Sequence, residues 1–131
     1  MYYYEKDYIM RLIHGIAQVL ARLLFNREMD REDALAAVLE DEGCERNDYL
    51  RGMVDRGQIN AAEDRLFELI ESAAWDDRRK AALVIAFYDY VNGKDDGFLA
   101  AADFSRDEII SGLEDAMKAV HMEIPEYLRI Q

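Results

Sequence analysis

From Tyr8 to Phe25 the residues Ile9, Leu12, Ile13, Ile16, Leu20, Leu23 and Leu24 recur at steps of three and four, and Arg11, His14, Gln18 and Arg22 form the opposite stripe. That period is the one of an amphipathic helix, predicted over residues 5–25. Ala17 and Val19 widen its apolar face. A face this wide implies burial against several neighbours, or a subunit interface.

Asn26 to Met29 reads as a connector, and Asp30 as the N-cap of a short second helix that buries Ala34, Leu35, Val38 and Leu39. Gly43 suits the left-handed position beyond its end. A third helix is predicted from Arg46 to Arg56, with Tyr49, Leu50, Met53 and Val54 as its apolar face and Gly57 as its stop. Asn60 then reads as the cap of a fourth helix, with Glu63 at capping-box spacing and Leu66, Phe67, Leu69, Ile70 and Ala73 on the buried side.

Asp76 and Asp77 place carboxylates at the positive end of a fifth helix. It holds eight consecutive apolar residues, Ala81 to Tyr88, before stopping at Asn92 and Gly93. A buried strand can also read this way, but the charged first turn and the three alanines favour the central helix of a core. Lys94 to Gly97 forms a turn, and Phe98 to Ala102 one helical turn. Ser105-Arg106-Asp107-Glu108 is a capping box for the last helix, with Phe104 stapling onto Ile109. Ile109, Ile110, Leu113, Met117 and Val120 are its buried face, and Tyr127, Leu128 and Ile130 dock from a tail. The fold predicted is all-α, a compact bundle of about six helices in one domain over 1–131: a long N-terminal helix at 5–25, helical hairpins at 30–120 and a tail at 121–131. Only 7 glycines and 1 proline punctuate the chain, too few for a fold of many short strands.

The net charge of −12 repels a phosphate backbone and an anionic membrane surface, so neither nucleic acid nor membrane is an expected partner. The same charge gives solubility or attracts a basic protein partner. The apolar stretch from Tyr8 to Phe25 is broken by Arg11, His14, Gln18 and Arg22, so no span is predicted. With no basic leader at the N-terminus and a single cysteine, Cys44, the expectation is a cytoplasmic protein.

The chain offers little recognisable chemistry. His14 and His121 lack further ligands at helical spacing, so no metal is expected. Lys94-Asp95-Asp96-Gly97 lacks the spaced oxygens of a calcium loop. No glycine-rich phosphate loop or nucleophile elbow occurs, and Glu42 and Glu45 make Cys44 a poor nucleophile. No catalytic residue, cofactor or metal ligand is therefore assigned. Asp89, between Tyr88 and Tyr90 on the central helix, reads either as a buried carboxylate in need of a partner or as part of an exposed stripe with Arg78, Ala82 and Asn92. The stripe is the reading adopted.

Gly57-Gln58-Ile59-Asn60-Ala61-Ala62-Glu63 resembles the turn and second-helix start of a tetratricopeptide unit, with Ala62 and Leu66 at matching offsets. The preceding helix lacks the motif's Trp, Leu-Gly and Tyr positions, and no second copy follows. The whole chain resembles a bacterial family of short helical proteins known as a domain of unknown function. The likeness lies in Asp7 to Ile13, Gly57 to Phe67 and Phe104 to Leu113. It implies a cytoplasmic helical bundle and carries over no catalytic residue.

Two functions are expected from different classes. The first is a non-enzymatic interaction or scaffold module that forms a homodimer through Tyr2, Tyr3, Tyr4, Tyr8, Ile9, Leu12, Ile16 and Leu20, leaving acidic faces for a basic partner. The second is a small-ligand protein or enzyme whose site gathers around residues 77–92, with Trp75, Tyr88, Asp89 and Tyr90 as the residues to watch.

Overall fold

The computed structural model describes residues 2–25 and 31–122, with the side chains of 6–16, 18, 33 and 35–122. Six helices follow in order: α1 (Tyr2–Phe25), α2 (Arg31–Asp55), α3 (Ile59–Ser72), α4 (Asp77–Asn92), α5 (Asp96–Ala101) and α6 (Arg106–Ala119). The expected tail and the connector at 26–29 lie outside the described residues. No strand occurs among the described residues.

The core forms around α4, which packs against α1, α2, α3 and α6. Ala81 to Tyr88 are all buried, as an apolar run on every side of a helix requires. The expected exposed stripe on α4 is not there. Arg78 is exposed, but Ala82 and Asn92 are buried and Asp89 is half-buried. Neighbours close around this side, and α1 reaches Asn92, whose Nδ2 donates to the Lys6 carbonyl at 3.3 Å. Ile9, Leu12, Ile13 and Ile16 of α1 are buried in the same core.

Local chemistry sets most helix ends. Asp76, Asp95 and Ser105 each accept the backbone N–H three residues on, and Glu108 completes the Ser105 capping box. Three helix ends close with a left-handed residue and two nested backbone bonds. Gly57, Asp103 and His121 have φ of 81°, 57° and 61°. The following residue's N–H reaches back in each case, from Gln58 to Met53, Phe104 to Leu99 and Met122 to Met117.

Three local expectations, at Gly43, Asn60 and Tyr49, are corrected by the structure. The second and third expected helices are both present and run on within α2 across a kink, which lies at Glu40 with φ 61° and ψ −172°. The left-handed residue is therefore Glu40, not Gly43. Gly43 serves close packing instead, because a Cβ there would lie 2.9 Å from Leu39 Cβ. Asn60 does not cap α3, which begins after Gln58 without a side-chain cap bond. Its Nδ2 donates to the Asp103 carbonyl at 3.2 Å, tying α3 to the α5–α6 turn. Tyr49, assigned to an apolar face, is 53% exposed.

Arg106 closes the lower end of the bundle. Its buried guanidinium donates to the carbonyl of Asn92 at 2.7 Å, Asn92 Oδ1 at 2.9 Å, the carbonyl of Lys94 at 2.8 Å and Asp96 Oδ1 at 3.1 Å. The last carbonyls of a helix lack partners within it and carry partial negative charge. A buried cation therefore caps α4 from a residue 14 positions away.

Candidate functional site

The break in α2 opens a cleft against α4. Leu35, Ala36 and Leu39 come from the first half of α2, and Cys44, Asn47, Asp48 and Arg51 from the second. Ala86 and Asp89 of α4 complete a cavity of about 240 Å³. Spacings of three, four and seven residues place Cys44, Asn47, Asp48 and Arg51 on one face of the helix. The break also frees the Leu39 carbonyl, which accepts Arg79 Nε at 2.8 Å. Arg79 in turn lies over the Trp75 ring at 4.7 Å, so Trp75 secures the break without lining the cleft.

Two polar groups of this cleft stand out. Asn47 is 8% exposed, and its Oδ1 has no hydrogen-bond partner. Arg51 lies one turn on, and its Nε is also buried without a partner. One is an acceptor and the other a donor. Buried polar groups are normally satisfied, and here both unpartnered atoms belong to residues that line the cavity.

A closed network holds the Arg51 side of the cleft. Arg51 and Lys94 each lie 4.8 Å from the Tyr90 ring centre. The Tyr90 hydroxyl donates to Asp55 Oδ1 at 2.6 Å, and Lys94 Nζ reaches the same oxygen at 2.8 Å. The hydrogen bonds from Lys94 and Tyr90 hold the Asp55 carboxyl below its ordinary range, and Asp55 raises both Tyr90 and Lys94. Tyr90 is thus a platform that orients the guanidinium.

Tyr88 belongs elsewhere. It is fully buried, and its hydroxyl donates to Glu63 Oε2 at 2.6 Å across to α3. Burial raises the Glu63 carboxyl, and burial together with Glu63 raises the Tyr88 phenol. Gly112 of α6 packs directly on this pair, where any Cβ would overlap the Tyr88 hydroxyl and the Glu63 carboxylate.

Of the four watched residues, Asp89 lines the cleft, Tyr90 borders it through Arg51, and Trp75 and Tyr88 stand apart. Asn47, Asp48 and Arg51 were missed. The signal was present: Gly43, Asn47, Leu50 and Val54 form one buried stripe, and Asn47 is its polar member. The expected dimer face fares differently. Ile9, Leu12 and Ile16 are at most 3% exposed within one chain, and Tyr8 is half-buried, so these residues present no open apolar surface. The side chains of Tyr2, Tyr3, Tyr4 and Leu20 lie outside the described residues.

Among the described residues no group of three or more His, Cys, Asp or Glu is placed to hold a metal ion. No helix among them is long and apolar enough to cross a membrane. No curated protein and no solved structure matches the chain. A family match covers residues 3–121, from α1 to the end of α6, and the chain belongs to the family of unknown function DUF6483.

Proposed function

We propose that this domain binds a small polar molecule in the cleft between the broken helix α2 and α4, as a binding module rather than an enzyme. The unpartnered pair of Asn47 Oδ1 and Arg51 Nε carries the reading. Leaving a buried polar group unsatisfied costs about 1–3 kcal/mol. A ligand that offers one N–H or O–H and one acceptor oxygen recovers that cost at both atoms. Leu35, Leu39 and Ala86 supply an apolar wall for its carbon frame. The volume of about 240 Å³ lies under the range that holds drug-sized molecules, which selects a compact ligand.

The test is a set of small polar fragments titrated into ¹⁵N-labelled protein. Shifts should concentrate in residues 44–51 and 86–90. Asn47→Leu keeps the size of the side chain and removes the orphaned oxygen. It should abolish binding and raise the melting temperature, because an apolar group replaces an unsatisfied one. Fragments that leave the cleft unmoved, or an Asn47→Leu protein less stable than wild type, would show that Asn47 serves the fold.

A second reading, a protein-interaction module, rests on Tyr49 and Met10, exposed at 53% and 43%, and on the net charge of −12. The tetratricopeptide-like turn at Gly57 suits it. A second copy or a basic partner would cover these residues. Light scattering that gives twice 15.2 kDa, with the mass halved by Tyr49→Ser, would favour the second copy.

A further inference from the structure

Where α3 meets α6, the Glu63 carboxylate is surrounded by acids. Gly112 has no side chain, so α6 comes down directly on Glu63 and on the Tyr88 hydroxyl bonded to it. Glu108 and Asp115 stand one turn before and one turn after Gly112 on the same face of α6. Both repel the Glu63 charge, as does its neighbour Asp64 on α3. No cation answers it: among the described residues Glu63 forms no ion pair, and Arg65 of α3 turns to Glu68 at 3.0 Å. Helix α2 also packs on α3, but at its end Asp55 is held by Tyr90 and Lys94, and Arg56 is exposed. From α4 comes the Tyr88 hydroxyl, donating at 2.6 Å.

We propose that Glu63 makes α3 a proton-operated clasp: with a proton on Glu63 the helix sits tightly on α4 and α6, and without it α3 opens more often while the rest of the bundle stays folded. A half-buried carboxylate among three like charges is less favourable charged than neutral. Tyr88 offsets part of this by donating to the charged form, but burial outweighs it and the carboxyl is raised. A group raised in the seated state stabilises that state fully at low pH, and the stabilisation is lost as pH rises through the seated value. Once α3 lifts, water hydrates the carboxylate and the penalty is gone.

The ties of α3 confine the effect to that helix. Among the described residues two of its side chains bond to other elements, Asn60 to the Asp103 carbonyl and Glu63 to Tyr88. Non-helical residues flank it at 56–58, where Gly57 has φ 81°, and at 73–76. Its buried stripe of Ile59, Ala62, Leu66 and Ile70 returns it to the core when the charge is removed. Segments held by few contacts open locally, below the free energy of global unfolding. Glu63 stands outside the α2–α4 cleft, so the clasp is independent of ligand binding there.

Hydrogen exchange of single backbone amides, corrected for intrinsic rates, measures the opening of each helix. From about pH 5 to about pH 8, protection of residues 62–70 should fall at least about threefold relative to residues 83–88 of α4. Glu63→Gln keeps the size and the acceptor oxygen without the charge, so protection of α3 should stay level across this range. Tyr88→Phe removes the bond that favours the charged form, so the fall should deepen and reach to higher pH. The proposal is overturned if α3 of the wild type keeps the same relative protection at both pH values, or if α3 and α4 lose protection together. It is overturned equally if Glu63→Gln retains the fall, or if Tyr88→Phe makes it shallower.

Discussion

Gly112→Ala adds one methyl group at the point where three helices meet. On α6 the new Cβ would overlap the Tyr88 hydroxyl of α4 and the Glu63 carboxylate of α3, and lie 2.8 Å from Tyr88 Cζ. Taken alone, the change favours the helix by about 1 kcal/mol, since alanine is the better helix former. Against this, forcing a methyl into a filled core costs about 1–3 kcal/mol. Parting the 2.6 Å Tyr88–Glu63 bond leaves a half-buried carboxylate without its donor, a further loss of about 1–3 kcal/mol. The sum is a net destabilisation of about 3 kcal/mol, or about 10 °C in melting temperature for a domain of this size. Thermal and urea unfolding followed by far-ultraviolet circular dichroism measure it. Tyr88→Phe removes the oxygen that meets the methyl, so the double mutant should lose less than the two single changes added together, by about 1 kcal/mol. An unchanged or raised melting temperature for Gly112→Ala would show that helix propensity outweighs the contact, and would refute the packing argument.

Two further outcomes follow from the same structure. Burial raises the Glu63 carboxyl above its ordinary 4.5, so its contribution to stability is complete below that value and is lost as pH rises through the folded value. The difference in stability between wild type and Glu63→Gln should therefore decline from about pH 4 upward, and a flat or rising difference in urea titrations contradicts the assignment. Gly57→Ala should cost about 1 kcal/mol although nothing lies within 4 Å of the added carbon, because φ is 81° and the cost is purely one of backbone conformation. A neutral result in chemical denaturation would mean that the turn relaxes.

The helical class, the central place of α4 and the caps at Asp76 and Ser105 were legible in the residues themselves. Each depends on groups within one or two turns of one another: an apolar stripe, a side chain three positions from an N–H, a glycine at a helix end. Local physics decides such features before any neighbour arrives. What a polar residue does when two partners compete for it was decided by the tertiary structure. Asn60 and Glu63 have the spacing of a capping box, yet they bond to the α5–α6 turn and to Tyr88, 43 and 25 residues away. Arg106 reads as an interior member of a capping box and becomes the cap of a different helix. The stripe of α1 reads equally well as a dimer face or as core, because periodicity shows that a face is apolar and not what covers it. Helices α2, α4 and α6 of the same chain cover Ile9, Leu12 and Ile16. The cleft lies at the helix break at Glu40, which brings residues from both halves of α2 against α4. The unpartnered Asn47 Oδ1 and Arg51 Nε become visible only when packing has used up every other partner.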